Sequence, residues 1–168
     1  MPKLTDTDFM ILGALMKNAK MSDRQLAKQI GVSQPTVTRR RARLEREVID
    51  GYTTIPKWEN LGYTILALTF VKTKSLLAPE QPRATAYAKA VKWMHQQPNV
   101  IYAAHCRGLG WDAFMMSVHR SYEDLDTFLR KHNMDLGSML DNNGTILVNL
   151  ADKRPLKTMH FKYLADAE

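Results

Sequence analysis

MSDRQLAKQIGVSQPTVTRRRARLERE, residues 21–47, reads as two short helices joined by a tight turn. Ser22 followed by Gln25 is a capping-box start, in which hydroxyl and amide satisfy orphan N–H groups reciprocally. Leu26, Ala27 and Ile30 then form one apolar stripe at helical spacing. Gly31 stands where a helix stops, since glycine accepts the left-handed conformation without a Cβ penalty. Val32 plugs the space between the helices. Ser33 is the next N-cap, and Pro35 is tolerated in the first turn, where its missing N–H costs nothing. Val37, Leu44 and Val48 share a face of the second helix, which also carries Arg39, Arg40, Arg41, Arg43 and Arg46. The pattern is a helix-turn-helix, whose second helix is expected to enter a DNA major groove. A short helix pair with a solvated basic face is the plain alternative. The clustering of arginine on that one helix favours a phosphate-bearing partner.

The charge of the whole chain points the same way. Its 168 residues carry 24 Lys+Arg against 17 Asp+Glu, a net charge of +7. Residues 1–57 hold eleven basic and six acidic residues, so most of the excess lies there. A basic first third suits a polyanion. The single cysteine, Cys106, excludes an internal disulfide framework and is consistent with a reduced cytoplasmic setting. The longest apolar run, Ile65 to Val71, is far short of the roughly 20 residues of a membrane span. The start, MPKLTDTD, lacks a signal peptide's apolar core. The expectation is a cytoplasmic protein without membrane contact.

Upstream, Thr5 and Asp8 mark a helix start, with Ile11, Leu12 and Leu15 on one face and an end near Asn18-Ala19. That helix supplies the third wall that the pair needs to bury both apolar stripes. Downstream, Asp50-Gly51 is a turn signal, Tyr52 to Ile55 favours an extended strand, and Pro56 ends it. YTILALTFVKT (63–73), VIYAAHC (100–106), AFMMSVH (113–119) and TILVNLA (145–151) read as strands. Arg83 to Gln97 reads as a helix with Tyr87, Ala90, Val91 and Met94 on one side. Ser121 caps another, with Leu125, Phe128 and Leu129 inward. Gly137 and the Asp141-Asn142-Asn143-Gly144 cluster end that region, and His160 to Tyr163 is a further strand candidate. The order is βαββαβ, the ferredoxin-like split arrangement. The expected fold is α+β: a winged helix-turn-helix domain over 1–50, a hinge over 51–62, and a ferredoxin-like domain over 63–168. Several strands are apolar on both faces. Helices cover one face, and a second copy of the chain is the economical cover for the other.

With both halves read, the chain resembles the Lrp/AsnC family of transcriptional regulators. LTDTDFMILGALMKNAKMSDRQLAKQIGVSQPTVTRRRARLE is similar to that family's N-terminal helix-turn-helix, VIDGYTTIPKWENLGY to its hinge strand, and RGLGWDAFMMSVHR to its glycine-x-aromatic-aspartate turn. The resemblance implies a homodimer through βαββαβ domains, assembled further into tetramers or octamers. It also implies an amino-acid or related effector near that turn, at Gly108, Leu109, Gly110, Trp111 and Asp112. A plain hairpin turn is the alternative for those residues. The sequence departs from the family in three places. Glu47 replaces the usual glycine after the recognition helix. Arg41 takes an inward, normally apolar position, where its stem can snorkel while its head reaches a phosphate or a carboxylate. The Lys72–Pro82 loop is long.

A helical wheel centred on Val37 turns Pro35, Thr38, Arg39, Ala42, Arg43 and Arg46 outward. Bidentate arginine to guanine is the commonest specific major-groove contact. Arg39 and Arg43 are therefore assigned to base edges, with Gln34, Thr36 and Thr38 near the helix start. Ser33 and Arg40 are assigned to phosphates, and Arg46 to solvent. His105-Cys106 with His119 matches no common zinc spacing. No Ser/His/Asp set, phosphate-cradling glycine loop or paired carboxylates stand out, so neither an enzyme nor a bound cofactor is expected. The sequence reads as a sequence-specific transcriptional regulator acting on double-stranded DNA. Its rivals are an architectural DNA protein without effector and a small-molecule-sensing assembly module.

Overall fold

The helices of the first third begin where their caps stand. In the computed structural model, which describes residues 2–74, 83–152 and 156–166, α1 is Asp6–Lys17, α2 Asp23–Ile30 and α3 Gln34–Glu47. Thr5 caps α1, and the Asp8 carboxylate receives the Thr5 N–H at 2.9 Å. At α2 the Ser22 N–H donates to Gln25 Oε1 (2.8 Å) while Gln25 N–H donates to Ser22 Oγ (3.3 Å), the reciprocal box that the spacing predicts. Gly31 closes α2 at φ +80°, in the left-handed region. Ser33 Oγ receives the Thr36 N–H, and Pro35 sits in the first turn of α3. Ile11, Ala14, Leu15, Leu26, Ala27, Val37 and Leu44 form one buried core. Val48 does not join it. It caps α3 and is exposed, and Ile49 packs in its place. With Glu47 where a glycine would allow a left-handed exit, the Val48 and Ile49 N–H groups both bond to the Leu44 carbonyl.

The chain divides into two compact units: Met1–Ile55 with Leu156–Glu168, and Pro56–Pro155. The first is the three-helix bundle plus a 3-10 turn at Phe161–Asp166, which packs on α1. Of the residues from His160 to Tyr163, expected as a strand, Phe161 to Tyr163 therefore form part of that turn and His160 directly precedes it. Tyr52 to Ile55, also expected as a strand, has no sheet partner among the described residues. A single extended segment cannot close a ladder alone.

The second unit is a four-stranded antiparallel sheet in the order β2-β3-β1-β4, with β1 Ile65–Thr73, β2 Val100–Gly108, β3 Trp111–His119 and β4 Leu140–Asn149. Helices α4 (Arg83–His95) and α5 (Tyr122–Leu136) connect it as βαββαβ. Residues 75–82, the greater part of the long loop, lie outside the described residues. The Asp141–Gly144 cluster, read from its turn-forming composition as a break, lies inside β4. Gly144 stands opposite Phe70, and a Cβ on it would lie 3.4 Å from the Trp111 ring. Glycine there marks a close approach rather than a turn. Alternation along the strands puts Ala67, Thr69, Met115 and Ser117 on one buried face, where Trp93 of α4 and Phe128 of α5 pack against Met115. Trp93, not Tyr87, anchors α4, donating its indole N–H to Asp135 (2.7 Å), while Tyr87 is exposed. The opposite face presents Phe70, Phe114, Tyr102, Met116, Ile146 and Val148, with Tyr102 and Ile146 more than half exposed.

Candidate nucleic-acid interface

The outer face of α3 carries an open cleft of about 490 Å³ lined by Arg39, Arg40, Ala42, Arg43 and Arg46. Its arginines are not equivalent. Arg39 is exposed, and among the described residues no hydrogen bond or ion pair engages it. Arg46 pairs with its neighbour Glu47. Arg40 and Arg43 both reach Asp8 on α1. Arg40 Nη1 donates to Asp8 Oδ1 (3.0 Å) and to Thr5 Oγ1 (2.9 Å), and Arg43 Nη2 donates to Asp8 Oδ2 (2.7 Å). The Thr5 hydroxyl adds a further bond to Oδ2 at 2.7 Å.

Asp8 is fully buried, which by itself raises a carboxyl pKa. The hydrogen bonds from Thr5 and Arg40 outweigh that penalty and hold it at about 2. The buried charge is thus fully partnered. The Nε–H groups of Arg40 and Arg43, by contrast, are buried without a partner among the described residues. The sequence reading gave Asp8 a place in the start of α1 but missed its pairing with Arg40 and Arg43, although a signal was present. Asp8 lies on the apolar stripe of α1, at helical spacing from Ile11, Leu12 and Leu15, and an acid on such a stripe implies a cation facing it.

Arg41 reaches carboxylates. It donates to Glu45 (2.9 Å), to Asp23 (3.2 Å) and to the Met21 carbonyl (2.9 Å), and its guanidinium lies 5.6 Å from the Tyr52 ring centre. Tyr52 in turn donates to Glu45 at 2.8 Å. The inward arginine therefore braces α3 against the start of α2. Of the remaining candidates, Gln34 and Pro35 are exposed, Ser33 and Thr36 bond each other through their hydroxyls (2.8 Å), and Thr38 donates to Asp23 (2.7 Å).

In the sheet unit the turn Gly108–Asp112 carries three successive positive φ values: +138° at Gly108, +51° at Leu109 and +80° at Gly110. Trp111 packs against Phe70 (6.1 Å between ring centres), and Asp112 Oδ2 receives both the Thr73 N–H and its hydroxyl at 2.8 Å. Those two bonds lower the Asp112 pKa. A separate cavity of about 420 Å³ lies under α4, between Val91, Met94, Ala103, Ala113, Tyr87 and His105, and none of its lining comes from the turn.

The structure also assembles a set that the sequence concealed. His119 Nε2 lies 2.8 Å from Ser117 Oγ, and Asp124 lies 3.7 Å from His119 Nδ1. Ser117 and His119 are both fully buried, and the imidazole lies against the Phe128 ring. A nucleophile needs substrate access, and this hydroxyl has none. His105 stacks on Tyr87 at 5.5 Å, apart from buried His119. Among the described residues no group of His, Cys, Asp and Glu could hold a metal, and no helix is long and apolar enough to cross a membrane.

Comparison with known proteins accords with this geometry. Residues 4–45 match the AsnC-type helix-turn-helix domain. An HTH-type transcriptional regulator of Mycobacterium tuberculosis is 29% identical over 156 residues, covering 92% of this chain and 99% of that protein. A regulator of Pyrococcus furiosus, FL11, is 28% identical over 127 residues, covering 75% and 78%. The fold matches the structure of Escherichia coli AsnC with a TM-score of 0.69 and 23% identity, covering 94% of this chain and 99% of that one. It matches a Neisseria meningitidis transcriptional regulator in complex with L-Met with a TM-score of 0.76 and 16% identity, covering 94% and 97%.

Proposed function

The chain belongs to the Lrp/AsnC family of helix-turn-helix transcriptional regulators, and from that premise we propose how it meets DNA. Two copies set their α3 helices in successive major grooves of a pseudo-palindromic site. Arg39 reads base edges, helped by Gln34, Pro35, Thr36 and Thr38. Ser33, Arg40 and Arg43 hold phosphates. Arg43, which the helical wheel alone assigns to a base, is moved to the backbone because one of its η-nitrogens is committed to Asp8 and its Nε is buried. The observation that carries the reading is the four-arginine cleft on the outer face of a helix whose other face is buried.

The open apolar face of the sheet is the proposed homodimer surface, with tetramers or octamers built upon dimers. The proposed effector is an amino acid held at Gly108, Leu109, Gly110, Trp111 and Asp112 between copies. The bound L-Met of the Neisseria meningitidis regulator and the run of backbone N–H groups at positive φ support that class. Such a protein works in the cytoplasm and carries out no catalysis of its own.

Selection of bound duplexes from random DNA, followed by titration at several salt concentrations, tests the reading. One enriched sequence and a logarithmic salt slope of several units are expected. Equal affinity for all sequences would leave an architectural role. Salt-independent or absent binding would remove DNA as the partner.

A further inference from the structure

We propose that Asp8 is a specificity-setting positioning residue: it ties down Arg40 and Arg43 so that Arg39 alone presents a free guanidinium fork to the bases. The proposal rests on the DNA-binding reading above and goes beyond it by dividing the arginines of α3 by role.

Arginine reads guanine through two N–H groups presented together. Arg43 has Nη2 on Asp8 at 2.7 Å and a buried Nε. Arg40 has Nη1 shared between Asp8 and Thr5, and its Nε is buried as well. Each keeps its remaining η-nitrogen for a single-point contact, which suits a phosphate oxygen. Both sites of attachment lie on α1, 32 and 35 residues away in sequence, so the restraint comes from the core and not from α3 itself. The carboxylate is fully buried and anchored twice more by Thr5, so it cannot follow the arginines outward. It also removes one positive charge from the cleft's sum. A helix with five free arginines would bind any duplex tightly, and discrimination is the difference between two affinities.

Neutralising the anchor should therefore strengthen the wrong binding. Asp8→Asn is compared with wild type on the selected duplex and on a scrambled duplex of equal length, with thermal melting as the control for folding. Affinity for the scrambled duplex is expected to rise several-fold, with a salt slope steeper by about one unit because one more phosphate is neutralised. The preference ratio is expected to fall by about tenfold. Introduced into an Arg40→Gln/Arg43→Gln background, Asp8→Asn should give no such rise relative to that background, whereas a merely structural effect of Asp8 would persist there. Arg43→Gln alone leaves Asp8 paired with Arg40 and Thr5, and it decides the matter should Asp8→Asn fail to fold. Equal loss on both duplexes, with the slope reduced by about one, supports the proposal. Loss confined to the selected duplex overturns it. An unchanged preference ratio in folded Asp8→Asn also overturns it while leaving DNA binding intact, whereas a wild-type protein that binds no duplex overturns both.

Discussion

The two units bury ionisable groups in opposite ways. In the helical unit Asp8 is buried as a charge, with two arginines and Thr5 around it, and its pKa falls to about 2. In the sheet unit His119 and His132 are buried with an Nδ1 that has no hydrogen-bond partner among the described residues, and burial lowers both pKa values. A buried acid stays charged only when its partners outweigh desolvation, whereas at His119 the Asp124 carboxylate 3.7 Å away does not outweigh burial, and the imidazole pKa falls. The helical unit thus uses its interior charge to orient surface cations. The sheet unit keeps its interior uncharged and leaves recognition to its open face and its turn.

Removing one side of the Asp8 cluster breaks this comparison most severely. Asp8→Ala leaves two partly buried guanidinium groups facing an empty site, and a loss of about 3–5 kcal/mol is expected. Chemical denaturation followed by far-ultraviolet circular dichroism measures it. A loss below about 1 kcal/mol would show that solvent replaces the carboxylate freely.

Acid separates the units next. Unfolded histidine titrates near 6.5, and burial puts the folded values lower. Below about pH 6.5 the unfolded chain holds the extra protons, and the sheet unit loses stability as pH falls. Unfolded aspartate titrates near 3.9 and folded Asp8 at about 2. That carboxylate therefore stabilises the helical unit by roughly 2 kcal/mol above pH 4, and the contribution is lost between about pH 4 and pH 2. Trp58, Trp93 and Trp111 all lie in the sheet unit, so tryptophan fluorescence follows that unit alone. Its denaturation midpoint should begin to fall at a higher pH than the midpoint followed by amide-exchange protection in α1, α2 and α3, since α4 and α5 add helical signal from the sheet unit. Coincident acid transitions would contradict the contrast.

The same contrast explains what the sequence made legible. Caps at Ser22 and Ser33, the stop at Gly31 and the core from Ile11 to Leu44 all follow from interactions within a few residues, so spacing alone reveals them. The pairing of Asp8 with Arg40 and Arg43 joins the first helix to the third and needs the packed bundle. In the sheet, the order βαββαβ follows from strand composition. The start of β4 does not, because Asn142, Asn143 and Gly144 have turn chemistry but are placed by their neighbours, Phe70 and Trp111. Ser117, His119 and Asp124 converge only after the strand and α5 have folded. Val48 left the core because the exit of α3 depends on a backbone conformation that composition states weakly.

Two glycines of the helical unit give effects of opposite sign. Gly31 holds φ +80° in open space, so Gly31→Ala costs only backbone strain, about 1–2 kcal/mol. Gly13 lies inside α1, and a Cβ there would meet Ala165 at 3.6–3.7 Å, an ordinary contact. Gly13→Ala should stabilise by about 0.5–1 kcal/mol through helix propensity. Thermal melting of the two variants measures both. Destabilisation by Gly13→Ala would show that the turn at Phe161–Asp166 tolerates no added atom on α1.

Asp112 should move stability least and function most. Its Oδ2 ties the hairpin to the end of β1 through Thr73, a bond on an exposed carboxylate that water readily replaces, so Asp112→Ala should shift the melting midpoint little. A lost amino-acid response in that variant would be ambiguous, because the tie and the charge leave together. Asp112→Asn separates them. Its side-chain carbonyl can still accept from Thr73, whereas the negative charge that would face a ligand's α-ammonium group is gone. If the turn binds an amino acid, Asp112→Asn should keep the melting midpoint and the ligand-free DNA affinity of wild type, yet lose the calorimetric response to amino acids. If the response survives in Asp112→Asn, the carboxylate serves only the Thr73 tie, and ligand recognition must rest on the backbone N–H groups of Gly108 to Gly110.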